Sequence, residues 1–209
     1  MSENFTTRGP KSADVNHLLG NTDIYLIDQI MKGRYGKGHL VLDAGCGGGR
    51  NLHWFIKNSI AIYGIDNSEE AIDDLKRLYK KLPADRFQNA YVEALPFADS
   101  FFDAVISSAV LHFAADEAQF FAMITEMLRV LKVNGTLFIR MATNIGIENK
   151  AQLIGNGIYN LPDVTTRFLL TRFLLSKILS LYSVLLLEEF KTVNVNDVRC
   201  MSTILLKRI

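Results

Sequence analysis

The stretch Val41-Leu42-Asp43-Ala44-Gly45-Cys46-Gly47-Gly48-Gly49-Arg50-Asn51 constrains this chain more than any other. An apolar run leads to an acid and then to glycines too dense for a helix or a strand. This is the pattern of a strand ending in a ligand-binding turn, because glycine takes positive φ and leaves no Cβ between main chain and ligand. The spacing predicts a helix opening over 50–57, with its free N–H groups aimed at that ligand. A second apolar run, Ile60 to Ile65, ends in Asp66, about 20 residues beyond the first glycine, where an acid on a neighbouring strand tip can accept hydrogen bonds from a ribose.

The remaining pattern alternates strands with amphipathic helices. Ile24, Ile27, Ile30 and Met31 recur at helical spacing before a glycine-rich basic loop. A helix is expected over 68–82, with Ile72, Leu75, Leu78, Tyr79 and Leu82 on one stripe and Asn67 and Glu70 as a cap pair. Strands follow over 87–92 and 102–108, then a helix over 116–132 and a fifth strand over 136–141. Strands alternating with helices in this way make a mostly parallel sheet with helices on both faces, an α/β fold. Beyond Ala142 the pattern loosens. The apolar stretch from Phe168 to Leu187 is broken by Arg172 and Lys177, which argues for an amphipathic helix running into a strand rather than a membrane span. The last two strand-like runs, 189–195 and 201–207, are close enough to force an antiparallel hairpin.

Composition excludes several classes. With 209 residues, 49% hydrophobic and 22% charged, the chain suits one soluble domain, and a net charge of +1 requires no nucleic-acid partner. Cys46 and Cys200 have neither metal-site nor disulfide-framework spacing, so no metal and a reducing compartment are expected. The polar arm over residues 1–21 lacks the apolar core of a signal peptide, and a cytoplasmic location follows.

The glycine spacing separates nucleotide folds. A dinucleotide site requires Gly-x-Gly-x-x-Gly, but here the third glycine arrives one residue early and Arg50 takes its place; no Gly-Lys-Ser or Gly-Lys-Thr of a Walker loop follows. Asp43 with Gly45, Gly47 and Gly49 instead resembles the class I S-adenosylmethionine-dependent methyltransferases, which carry an acid two residues before Gly-x-Gly-x-Gly. Asp66, the Leu95-Pro96-Phe97 segment before Phe102-Asp103 and the terminal hairpin extend the likeness over most of the chain. The resemblance implies a Rossmann-like doubly wound seven-stranded sheet of order 3-2-1-4-5-7-6 with strand 7 antiparallel. It implies S-adenosyl-L-methionine as cofactor, with Asp43 and the turn through Gly45, Cys46, Gly47 and Gly49 beside its methionine and sugar. It also implies that Asp66 binds the ribose, that Asn67 borders the adenine and that Val92 offers a backbone contact. Many members hold the adenine amino group with an acid where this chain has Tyr91, and Glu93 alternates to the other side of an extended segment.

Direct displacement from a sulfonium needs alignment more than a catalytic group, so the chemical residues are quieter than the cofactor site. Ser107 and Ser108 end the fourth strand and are expected to line the methyl-donor pocket. His112 is a candidate base, with a structural histidine as the alternative. Arg140, near the end of a central strand, must find a partner: an ion pair with a nearby acid, or a substrate carboxylate or phosphate. His17 and Tyr25 are candidates for a lid. The expectation is one methyltransferase domain over 1–209, comprising an N-terminal arm and helix over 1–38, a cofactor-binding core over 39–144 and a substrate-side segment with the hairpin over 145–209. Its acceptor is a small molecule, with a homodimer as the further partner. The alternative is a catalytically inactive cofactor-binding scaffold or partner subunit, for which Tyr91 is the one favouring feature.

Overall fold

The computed structural model describes residues 12–209; the first eleven residues of the polar arm lie outside the described residues. Two helices lead, α1 (Ser12–Leu19) and α2 (Ile24–Met31). The strand preceding the glycine turn is β1 (Leu40–Ala44), flanked in parallel by β2 (Ala61–Asp66) and β4 (Phe102–Ser108). β3 (Phe87–Asn89) lies outside β2, and β5 (Leu131–Thr143) lies outside β4, both parallel. Alternate residues of β1 serve two cores. Leu42 packs with Ile65, Val105 and the helix α5 (Glu117–Val130), whereas Val41 packs with Ile62, Ile106 and residues of α2, α3 (His53–Lys57) and α4 (Glu69–Leu78). A strand covered on both faces has no polar side to present, which is why Val41 and Leu42 are both apolar.

The sheet closes with β11 (Arg199–Arg208), antiparallel to β5 from Cys200 to Lys207. On its far side β11 pairs antiparallel with β9 (Val184–Leu186) at one end and with β10 (Lys191–Val195) at the other. The expected order 3-2-1-4-5-7-6 is therefore present, with β11 as the antiparallel seventh strand and the sixth place shared by β9 and β10. Helix α6 (Arg172–Leu181) supplies Leu174, Leu175 and Ile178 to the face already covered by α5. No helix among the described residues is long and apolar enough to cross a membrane.

Several local expectations are corrected. In α2 the buried positions are Leu26 and Gln29, while Ile24 and Met31 face solvent. Asp23 caps the start of this helix: its side chain accepts from the Tyr25 N–H at 3.0 Å. Helix α4 is capped by Ser68, which accepts from the Ala71 N–H at 3.2 Å, and not by Asn67 and Glu70. It ends at Leu78, which is 67% exposed, because the chain turns towards Pro83 before reaching Leu82. The helix after the glycine turn is only five residues long and begins at His53, since residues 49–52 are a turn closed by the Leu52 N–H donating to the Gly49 carbonyl at 3.0 Å. β5 begins at Leu131, five residues before the expected start, with a register shift against β4 between Phe102 and Ala104.

One element was not anticipated. Between β5 and α6 lies a three-stranded antiparallel sheet, β6 (Gln152–Gly155), β7 (Ile158–Asn160) and β8 (Thr166–Phe168). All four residues of β6 are exposed, so no apolar alternation marks it. β8 ends in Phe168, whose ring stacks on Phe120 of α5 with centroids 4.9 Å apart. The small sheet is thereby fixed over the carboxyl ends of the main strands.

Candidate active site

The chain crosses from β1 to α3 through the glycine turn, and its geometry follows from what surrounds it. Gly45 has φ +84°, and a Cβ there would overlap the Val110 side chain, so only glycine fits. Gly47 has φ +49°, and its N–H donates to Asp66 Oδ2 at 2.8 Å, tying the turn to the tip of β2. The other oxygen of Asp66 accepts from the Ser68 N–H at 2.9 Å. Each carboxylate oxygen keeps a free lone pair, so the group is oriented and still able to receive two hydroxyl donors.

A cavity of about 410 Å³ opens above this turn, lined by Gly45, Gly47, Asp66, Asn67, Tyr91, Val92 and Glu93 together with Ala109, Val110 and Phe113. It brings together Asp66, Asn67, Val92 and the turn glycines, as expected from sequence. Glu93 is a correction: residues 91–94 form a turn, closed by the Ala94 N–H donating to the Tyr91 carbonyl at 3.1 Å, so Tyr91 and Glu93 line the same cavity instead of alternating. Gln119 Nε2 donates to Glu93 Oε1 at 2.7 Å and holds the carboxylate there. An acid therefore reaches this end of the cavity despite Tyr91.

Other candidates lie elsewhere. The Cys46 side chain turns into the core between β1 and β2 against Gly64, and burial pushes its thiol above the usual range, so the residue meets a ligand only through its backbone. Ser107 is fully buried within the sheet, two residues short of the cavity rim formed by Ala109, and its Oγ has no partner among the described residues. Asp43 is enclosed beneath the turn with both oxygens unpartnered. Burial pushes its carboxyl up to about 7, with Arg50 pulling it down and Asp66 pushing it further up.

The arginines meet an acid that sequence reading passed over. Asp23 Oδ2 accepts from Arg50 Nη2 and Arg140 Nη1, each at 3.0 Å, and its N–H donates to Asn51 Oδ1 at 3.1 Å. Ser108 Oγ joins the cluster at 3.0 Å from Arg50 Nη2. Arg140 has thus found its structural acid, although its Nε remains buried without a partner. Tyr25 lies beneath the Arg140 guanidinium, 5.0 Å from ring centroid to Cζ, and lines no cavity described here. His17 is held between α1 and α3, its Nε2 2.6 Å from Lys57 Nζ, and does not reach the 410 Å³ cavity. Asp23 was legible as a helix cap before Ile24; its meeting with residues 27 and 117 positions away was not.

His112 belongs to a different wall. Its Nδ1 accepts from the Ala142 N–H at 3.3 Å, which places the proton of the neutral ring on Nε2. Burial, with Arg167 and Arg140 nearby, lowers its pKa to about 4. The neutral ring therefore offers a hydrogen-bond donor, not the base considered from sequence. It lines a second cavity of about 290 Å³ with Arg140, Asp163, Thr165, Arg167 and Arg199.

The comparisons with known proteins agree with this geometry. Residues 42–139 match the family model described as a methyltransferase domain. A tRNA (carboxymethyluridine(34)-5-O)-methyltransferase of Xenopus tropicalis is 33% identical over 104 residues, covering 49% of this chain but only 15% of that protein. Among solved structures, the 1,6-didemethyltoxoflavin-N1-methyltransferase of Burkholderia thailandensis, with S-adenosylhomocysteine bound, superposes with a TM-score of 0.66. It is 17% identical and covers 88% of this chain and 75% of that one. The [4+2]-cyclase SpnF superposes at 0.68 with 18% identity, covering 88% of this chain and 80% of its own, so the fold also hosts other chemistry. Residues 42–139 thus match a methyltransferase-domain model, in a chain whose fold is like that of solved S-adenosylmethionine-dependent methyltransferases.

Proposed function

We propose that the 410 Å³ cavity binds S-adenosylmethionine and that the chain directs its methyl group to a small acceptor by direct displacement. The observation that carries this reading is the oriented Asp66 carboxylate, bonded to Gly47 and Ser68 and still open to two donors, at the edge of a cavity floored by a glycine turn. A ribose diol offers two such donors. The cavity volume lies in the range of small-molecule sites. Asn67, Val92, Tyr91 and Glu93 form its far end, where Glu93 supplies the carboxylate for the adenine amino group that position 91 does not. Val110, Phe113 and Met123 supply apolar surface.

When bound, this cofactor supplies an electrophilic methyl group on a sulfonium. The chain's own residues hold donor and acceptor in line and exclude water, worth several kcal/mol and about 7–11 kcal/mol in the best intramolecular systems. No general base is assigned, and an acceptor with an available lone pair needs none. Residues 1–209 are read as a single domain, with 39–144 holding the donor and 145–209 closing the acceptor side.

A tRNA acceptor is the second reading, favoured by the name of the Xenopus relative, although the matched segment is a small fraction of that protein. Calorimetric titration with S-adenosylmethionine and S-adenosylhomocysteine tests the donor site. Saturable 1:1 binding of both is expected, and no binding of either sinks the reading. Labelled-methyl transfer to small-molecule pools and to tRNA then separates the two acceptors, and binding without transfer to any acceptor returns weight to the inactive scaffold.

A further inference from the structure

Four segments distant in sequence meet at the second cavity. His112 comes from the 3-10 turn after β4, Arg140 from β5, Arg167 from β8 and Arg199 from the start of β11. Three arginines thus line one space of about 290 Å³, with Asp163 as the one carboxylate in its lining. That carboxylate is already bonded by the Thr165 N–H at 3.1 Å and by the Thr165 hydroxyl at 2.6 Å. Among the described residues, neither Arg167 nor Arg199 forms a salt bridge. Arg167 donates through Nη1 to the Thr166 carbonyl at 2.8 Å and lies over the Phe113 ring at 5.1 Å. Arg140, for its part, holds a buried Nε with no partner.

Arg140 is paired with Asp23, but Arg167 and Arg199 share only the one carboxylate of Asp163, and guanidinium groups in excess of acids repel one another. That cost is relieved when an anion enters, and the planar fork of arginine suits the two oxygens of a carboxylate or phosphate. The position is also right for an acceptor. Phe113 lines the first cavity and His112 the second, their ring centroids 4.5 Å apart, so one turn of chain is the shared wall.

We propose that the second cavity binds the anionic group of a small methyl acceptor, a carboxylate or a phosphate ester, with Arg167 and Arg199 as its ligands and the positive charge of Arg140 in its wall. The proposal rests on the methyl-donor assignment of the first cavity. The rest of the acceptor then reaches past Phe113 towards the donor, and His112 Nε2–H adds a neutral donor. A pocket of this size with an acid in its lining suits one small anion better than a nucleic-acid backbone, which is tracked by cations arrayed along a surface.

The test is an amide-shift titration of the S-adenosylhomocysteine complex by NMR, with inorganic phosphate and with succinate, at constant ionic strength. Saturable shifts are expected at residues 112, 165–167 and 199–201, and the tighter of the two probes identifies the anion class. Arg167→Gln and Arg199→Gln should each weaken binding by about tenfold, the loss of one charge-assisted hydrogen bond, with S-adenosylhomocysteine affinity and melting temperature unchanged. Absence of saturable shifts from both anions overturns the proposal, as do shifts that persist undiminished in the double variant. Shifts at these residues from tRNA but from neither small anion overturn it in favour of a nucleic-acid surface. The titration is repeated without S-adenosylhomocysteine, so failure of the donor site and failure of the anion site are read separately.

Discussion

At the scale of single residues, the two acids at the glycine turn behave in opposite ways. Asp66 is oriented by two N–H groups and reaches the cavity, so Asp66→Ala should cost about 1–3 kcal/mol of cofactor affinity, a 5- to 150-fold rise in Kd, without loss of fold. Calorimetry on the variant reads this directly, and an unchanged Kd removes the ribose assignment. Asp43 has no partner, and burial raises its pKa from near 4 to about 7. The folded protein therefore holds a proton that the unfolded chain has lost between those values, and stability attributable to Asp43 falls as pH rises through that window. His112, lowered to about 4, acts in the opposite sense between 4 and 6.5, so the wild-type profile alone does not isolate either group. The comparison with Asp43→Asn does. The variant should match wild type near pH 3, below both values, and melt higher near pH 8, by about 2–4 °C for each kcal/mol gained. A melting difference that does not grow with pH would show Asp43 titrating normally. A cationic donor in the cavity favours the ionised carboxylate, so cofactor affinity of the wild type should rise between pH 6 and 8.

At the scale of elements, α2 is tied to the carboxyl edge of the sheet through one side chain. Asp23 is 3% exposed, caps α2 and accepts from Arg50 and Arg140, while Gln29 of α2 donates to Glu188 at 2.8 Å on the far side. Asp23→Asn leaves two guanidinium groups facing a neutral amide, and should cost about 1–3 kcal/mol given that Arg50 is half exposed to solvent. Hydrogen exchange should show faster opening of α2 with protection retained in β1, β4 and β5. Equal loss of protection across the sheet would mean that the cluster supports the whole fold and not this helix. Existence and type of the main elements were legible from period and punctuation: the continuous apolar run of β1, the capped amphipathic α4 and α5, and the forced hairpin at the end. Their bounds and exposed positions were not, because local propensity places Ile24, Met31 and Leu78 on an apolar stripe that packing does not use. The small sheet of β6, β7 and β8 escaped for the same reason, since its strands are short and largely exposed.

At the scale of the molecule, both cores draw on β1, β2, β4, β5 and β11, and β11 pairs with β5 from Thr136 to Thr143. Thermal unfolding should accordingly be a single transition seen alike by tryptophan fluorescence and far-ultraviolet dichroism. Two separated transitions would divide 145–209 from the core. S-adenosylhomocysteine at a hundred times its Kd should add about 2.7 kcal/mol, raising the midpoint by about 5–11 °C.

The sequence by itself determined the glycine turn of this protein and the acid beside it. Asp43, the glycines and Asp66 are placed by spacing along one β-turn-α-β unit, so their arrangement is written in local order, where a missing Cβ or a strand-end acid has one conformational meaning. Only the tertiary structure decided the arginine-lined cavity and the far end of the first one. Asp23 meets Arg140, Glu93 turns into the cavity, and Arg140, Arg167 and Arg199 converge through packing between segments with no fixed spacing. Such meetings depend on how β8 and β11 lie against the sheet, and no periodicity along the chain encodes that.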